Sequence, residues 1–113
     1  MISALVSSFS FYFTEEMARS GGNILVGQDN CDPDITFSEM RLLSECNLSN
    51  AEIILGATLY AAESLNVVDQ FGSIEVDKRA NILILNKNPL EDINNMTSTF
   101  NVIKDGDVIL RNE

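Results

Sequence analysis

Two hydrophobic rhythms divide this chain, and they change over near residue 66. Before it, apolar positions fall mostly at helical spacing. After it, they alternate or run together as strands do. Gly72 to Leu90 shows the second rhythm most plainly. Ile74 and Val76 alternate with Ser73, Glu75 and Asp77, the period of a strand with one wet face. Asp77-Lys78 is polar and suits a turn, since Asp tolerates the left-handed conformation. Ile82-Leu83-Ile84-Leu85 is apolar on both faces, like a covered strand, and Pro89 lacks the N–H that would continue the ladder. Strands are therefore predicted at 73–75 and 81–85. Pro89 to Ile93 has the pattern of a single helical turn with Pro near its start. Thr99 to Lys104 and Asp107 to Leu110 are predicted strands around Asp105-Gly106, the strongest hairpin signal in the sequence.

The first 66 residues predict a short strand and a helical hairpin. Residues 1–13 fit either helix or strand, with Phe9, Phe11 and Phe13 alternating. Thr14 is expected to cap a short helix, with Glu15 and Glu16 in its first turn, where the macrodipole favours acids. Ser20-Gly21-Gly22 should stop it. Ile24-Leu25-Val26 has the length of a buried strand, and Gly27-Gln28-Asp29-Asn30 follows it directly. Cys31 to Ile35, with Pro33 inside, is expected to be a loop. Thr36 and Glu39 have capping-box spacing and predict a helix start there. Met40, Leu42, Leu43 and Cys46 would form its apolar face, and Asn47 its end. Ser49 and Glu52 repeat the box. They open a helix expected to run through Ile53, Ile54, Ala57, Leu59, Tyr60 and Ala61 to Leu65, forming a helical hairpin with its predecessor. Two units are thus expected, 1–66 and 67–113.

Composition narrows the function classes. The hydrophobic fraction is 45%, ordinary for a globular chain, so a packed core rather than disorder is expected. Seventeen acids against seven bases give a net charge of −10. That argues against nucleic acid or an anionic membrane as partner, since both require a basic surface. The acids are scattered, which fits solubility better than an acidic binding face. Cys31 and Cys46 are fifteen positions apart and form no C-x-x-C pair, which excludes a zinc knuckle. Two free thiols in a reducing cytoplasm are expected, with a disulfide as the alternative. Met1 to Phe13 is apolar but shorter than the ~20 residues a bilayer needs. It also lacks an early positive charge and a small-residue cleavage site, which leaves a cryptic leader as the lesser reading.

Candidate chemistry is sparse. The chain contains no histidine, so the commonest general base and the commonest transition-metal ligand are both missing. Ser8, Ser10 and Thr58 consequently have no imidazole to activate them, and Thr58 is expected to pack inside its helix. Asp29, Asp32, Asp34 and Glu39 begin like a calcium loop. However, the sixth position is Asp34 rather than glycine and the twelfth is Met40 rather than glutamate. Gly21-Gly22-Asn23 precedes a predicted strand, whereas a phosphate loop follows one, so it is expected to be a turn.

Several segments together resemble the closing part of the metal-dependent amidohydrolases, the group of imidazolonepropionase and Xaa-Pro dipeptidase-like enzymes. They are Gly72-Ser73-Ile74-Glu75, Ala80-Asn81-Ile82-Leu83-Ile84-Leu85, Asn88-Pro89-Leu90-Glu91-Asp92-Ile93 and Val102-Ile103-Lys104-Asp105-Gly106. Upstream, Glu39-Met40-Arg41-Leu42-Leu43, Ala57-Thr58, Ala61-Ala62 and Leu65 match the family's two preceding helices. Gly27-Gln28-Asp29 stands where the family has glycine-threonine-aspartate after its last barrel strand. The likeness covers about residues 21 to 113, and it is the order and spacing of the segments that carry it. Asp77 stands for the family's turn glycine, Asn81 for its aspartate and Gln28 for its threonine.

The resemblance implies an α/β fold that is incomplete in this chain: the last strand and helices of a (β/α)8 barrel (residues 1–66), then the C-terminal strands of a small β-sandwich (67–113). It implies a hydrolase of carbon–nitrogen bonds other than ordinary peptide bonds, or of dipeptides. Zinc or another divalent metal would be its cofactor. Asp29 matches the aspartate that in the family binds the metal and carries the proton of the attacking water. It follows a strand directly, at the end where such barrels place catalytic groups. The family's other ligands are mainly histidines on earlier strands that this chain does not contain, and one carboxylate cannot hold a catalytic zinc. The chain is therefore expected to be a truncated C-terminal part, inactive and metal-free alone, partnered by the missing barrel portion or by further copies of itself. The alternative from a different class is a non-catalytic interaction module that pairs through an exposed strand edge at Ile24 to Val26.

Overall fold

The computed structural model describes residues 12–27 and 32–111. Residues 12–19 form helix α1. Thr14 lies inside this helix and does not cap it. Tyr12 and Phe13 are already helical, and no Gly or Pro separates them from Thr14. The end of α1 is as predicted. Gly21 takes φ +86°, the amide of Gly22 donates to the carbonyl of Met17 at 3.1 Å and that of Gly21 to Ala18 at 3.1 Å, which is a Schellman closure.

Residues 22–27 cross the face of the next helices without joining a sheet. The predicted strand Ile24–Val26 is therefore absent: a strand requires a neighbour, and the described chain sets none beside it. One backbone bond fixes the segment, from Val26 N–H to the carbonyl of Gly56 at 3.2 Å. Ile24 and Val26 pack on the core, whereas Leu25 is exposed.

Helix α2 spans Pro33–Glu45 and starts earlier than the Thr36–Glu39 spacing suggests. Asp32 is its N-cap and accepts from Asp34 N–H at 3.0 Å. Pro33 follows at the one place where a helix loses nothing by a missing N–H. Cap and proline together outweigh the later box. The end at Asn47 holds, with φ +63°. Met40, Leu43 and Cys46 are buried, but Leu42 is 47% exposed and does not belong to the apolar face. Asn47 also donates to Glu15 at 3.2 Å, tying the end of α2 to α1.

Helix α3, Asn50–Ala57, opens with the predicted capping box. Ser49 Oγ accepts from Glu52 N–H at 3.2 Å, while the Glu52 carboxylate accepts from Ser49 N–H at 2.8 Å. The helix does not run unbroken to Leu65. At Thr58 the backbone turns to φ −129°, ψ −92°, and α4 continues over Leu59–Ser64. Two features account for the break. Thr58 Oγ donates to the Ile54 carbonyl at 2.7 Å, a bond that bends helices. Gly72 (φ +97°) lies against the same joint, where an added Cβ would be 2.7 Å from Ala62 Cβ and 3.1 Å from Leu59 Cα.

The remaining chain makes one antiparallel sheet in the order β1 (Ile82–Leu85), β2 (Thr99–Lys104), β3 (Asp107–Arg111). Asp105 and Gly106 both have positive φ, +49° and +90°, as the tight hairpin requires. The predicted strand at 73–75 is not formed. Ile74 and Val76 are 82% and 91% exposed, and β1 takes β2 as its partner instead. The intervening turn exists, with Asp77 at φ +70°. Lys78 folds back inside it to Ser73 Oγ at 2.6 Å and Glu75 at 3.1 Å, which holds the loop in a shape that no ladder can use. The single turn expected at 89–93 forms over residues 89–91, where Glu91 N–H donates to the Asn88 carbonyl at 3.3 Å, and a separate 3-10 helix, Ile93–Thr97 capped by Asp92, follows it. Its Ile93 joins Met40, Leu43, Cys46, Leu48 and Ile53 in one buried cluster, so the tail seals the helical layer.

Candidate functional site

Asp29, the candidate catalytic and metal-binding residue, lies outside the described residues, as do Gln28, Asn30 and Cys31. The structure does fix what flanks it. On one side Val26 is pinned to Gly56, and an added Cβ on Gly56 would stand 2.3 Å from the Ile24 carbonyl oxygen. That glycine lets the chain lie directly on α3 on its way to Gly27. On the other side Asp32 caps α2. The described residues on either side of Asp29 are thus tied to helices, Val26 by a backbone bond to α3 and Asp32 by its side-chain cap on α2. Sequence pattern alone misses Gly56, because a glycine inside an apolar helical run carries no chemical signal.

The other candidates are placed in structural roles. Asp32 caps a helix, and Asp34 and Glu39 stand on α2. Residues that would have to wrap a calcium ion as a loop are therefore helical. Gly21 and Gly22 close α1, and Thr58 sits at the α3–α4 break rather than inside a helix. Ser8 and Ser10 lie outside the described residues. Among the described residues no group of three or more His, Cys, Asp or Glu is arranged to hold a metal ion. The sequence also has no histidine, the commonest transition-metal ligand.

Electrostatic perturbations follow local hydrogen bonds. The Glu52 carboxyl is held below the usual carboxylate range by the Ser49 hydroxyl and then by the Ser49 backbone N–H. Glu75 is lowered by Ser73, which hydrogen-bonds it closely, and by Lys78. Burial pushes the Cys46 thiol up, with Glu15, Glu45 and Glu39 adding to the shift. A thiol in that state is a poor nucleophile.

An open groove of about 740 Å³ lies between α4, the 71–80 loop and β1. Ala61, Leu65, Phe71, Ile74, Ile82 and Leu83 line it. Arg79 stands over Phe71, 5.6 Å from the ring centre, and reaches Asp105 at 3.5 Å, linking the loop to the hairpin tip. The chemistry of the groove is that of an uncovered core. The apolar run 82–85 and the alternation at 73–77 signalled apolar surface here, though not that it would stand open.

Comparison with known proteins gives this arrangement a lineage. Residues 7–109 match the family described as the amidohydrolase family, and the chain belongs to it. A Xaa-Pro dipeptidase solved with methionine in its active site superposes with a TM-score of 0.80 at 28% identity, over 87% of this chain and 25% of that one. A Bifidobacterium longum structure assigned as a prolidase gives 0.80 at 33% identity over the same shares, 87% and 25%. Molinate hydrolase gives 0.77 at 27% identity, over 85% and 25%. The chain therefore spans about a quarter of the length of the solved structures it matches. No curated protein sequence matches it.

Proposed function

We propose that this chain is the C-terminal portion of a metal-dependent amidohydrolase that cleaves carbon–nitrogen bonds, either in dipeptides or in non-peptide substrates. The observation that carries the proposal is the superposition of 87% of the chain on one quarter of a Xaa-Pro dipeptidase. On this reading residues 1–66 belong to the end of the (β/α)8 barrel and 67–113 to the small β-sandwich. Asp29 is the carboxylate that the chain contributes to a zinc or other divalent site, whose remaining ligands lie on barrel strands outside this sequence. The chain acts in the cytoplasm, which suits its free, buried Cys46. Among the described residues no helix is long and apolar enough to cross a membrane.

The test is complementation. The chain is co-expressed with the N-terminal three-quarters of the Xaa-Pro dipeptidase, supplied with zinc, and assayed on Xaa-Pro dipeptides. The expected result is hydrolysis by the combined chains, none by either alone, and loss on Asp29→Asn. Turnover with stoichiometric metal by the isolated chain would overturn the reading. So would a complemented enzyme indifferent to Asp29→Asn.

A further inference from the structure

The tip of the β2–β3 hairpin is held by three consecutive residues. Asp105 and Gly106 form the whole loop between the paired Lys104 and Asp107. The Gly106 N–H donates to the Ala80 carbonyl at 3.1 Å. The Asp105 N–H donates to Asn81 Oδ1 at 2.8 Å. Arg79 adds an ion pair to the Asp105 carboxylate at 3.5 Å, a weak contact between two largely exposed groups. This clasp is itself anchored, by Arg79 N–H to the Gln70 carbonyl at 3.0 Å and by Asn81 N–H to the Arg79 carbonyl at 2.9 Å. None of these bonds is a rung of the β2–β3 ladder, and every group in them belongs to the described residues.

The two tip residues are also a chemically labile pair. Asp105-Gly106 is the one Asp-Gly in the sequence, which has no Asn-Gly. At such a pair the amide nitrogen of the glycine, unshielded by a Cβ, attacks the aspartate Cγ. The N–H and C–OH bonds break as a C–N bond forms, releasing one water and closing a five-membered imide. Water then opens the imide at Cγ, which restores aspartate, or at the main-chain carbonyl, which leaves isoaspartate with the backbone routed through the side chain. One water leaves and one returns, so the mass is unchanged and no other reactant is required. The attack requires the Gly106 nitrogen to give up its proton and the bonds about Asp105 to rotate. In the folded chain Ala80 engages that proton, and the amides on both sides of Asp105 are pinned. We propose that Asp105 is a site of spontaneous isoaspartate formation, and that Arg79 to Asn81 restrain the reaction in the folded chain. Isoaspartate lengthens the loop backbone by one methylene group, which a tight turn with positive φ at both positions does not accommodate. Its formation therefore costs β3 its register on β2. The proposal rests on this hairpin and not on the hydrolase reading.

The test uses the full chain, aged at neutral pH either folded or unfolded in urea. Isoaspartate is counted by enzymatic methylation of its free α-carboxylate. It is located by mapping with a protease that cleaves before aspartate but not before isoaspartate. The unfolded chain should accumulate it at residue 105, and the folded chain should do so at least roughly tenfold more slowly, the factor that two net hydrogen bonds supply. Asn81→Ala, which frees the Asp105 N–H, should speed the folded chain roughly two- to tenfold. Ile93→Ala weakens the core cluster, which includes no residue of the clasp, and should leave the folded rate unchanged, because opening of the tip is local. Asp105→Glu, too long to close a five-membered ring, should remove the signal. Equal rates in the folded and unfolded chain overturn the proposal, as does an unfolded chain that forms no isoaspartate at 105. So does an Asn81→Ala chain that ages no faster than the unaltered one, or an Ile93→Ala chain that ages as fast as Asn81→Ala. Should Asn81→Ala fail to fold, the ratio of folded to unfolded rates in the unaltered chain decides alone.

Discussion

Single residues set the local geometry here more than chemical groups do. The Ser49–Glu52 box is the clearest case, because its effect depends on pH in a direction that can be worked out. The folded Glu52 carboxyl titrates below its unfolded value of about 4.3. Its contribution is therefore complete above the unfolded value and disappears as pH falls through the lower, folded one. Ser49→Ala removes the hydroxyl that is the largest cause of the shift and the acceptor for Glu52 N–H. The variant should lose about 1 kcal/mol at pH 7. The gap between native and variant, read from urea midpoints, should narrow as pH falls below the ordinary carboxylate range and the folded Glu52 takes up its proton. A gap that stays constant with pH would show that Glu52 is not held by Ser49. Gly56 acts through space alone. Gly56→Ala pushes a methyl into the Ile24 carbonyl and should cost about 1–3 kcal/mol, with loss of exchange protection at Val26 N–H. Leu42→Glu is the contrasting change: Leu42 is largely exposed, and the variant should stay within about 0.5 kcal/mol of the native chain.

At the level of elements, legibility follows how local the determining forces are. The 105–106 hairpin, the Ser49 box, the α1 stop and the Asn47 end were all readable, because each depends on residues within a turn of one another. The start of α2 lies four residues before the expected one because two local signals compete, and Asp32-Pro33 wins over Thr36–Glu39. The failures at 24–26 and 73–75 are of another kind. Both stretches have strand patterns, but a pattern becomes a strand only beside a partner strand, and none of the described strands lies beside either. The break at Thr58 was hidden for a similar reason, since it depends on Gly72 arriving from fourteen residues further along. The candidate site was legible only as a matched position. The sequence has no histidine to complete a metal site around Asp29, and of the residues that hold its flanks Gly56 acts through backbone approach and Asp32 through its capping carboxylate.

On the scale of the whole molecule, the change of hydrophobic rhythm at residue 66 does not coincide with a division of the core. Ile93 belongs to the same buried cluster as Met40, Leu43, Cys46, Leu48 and Ile53, and the 3-10 helix it begins is packed on α2. The Asn50 side chain also donates to the Leu90 carbonyl at 3.0 Å across that boundary. Helices and tail should therefore unfold together. Urea denaturation followed by helical circular dichroism and by exchange of the β2–β3 amides should give one midpoint. Ile93→Ala, which empties part of the shared cluster, should lower both signals alike by about 2–4 kcal/mol. Two separated midpoints, or an Ile93→Ala effect confined to the tail, would mean that the sequence boundary is a folding boundary as well.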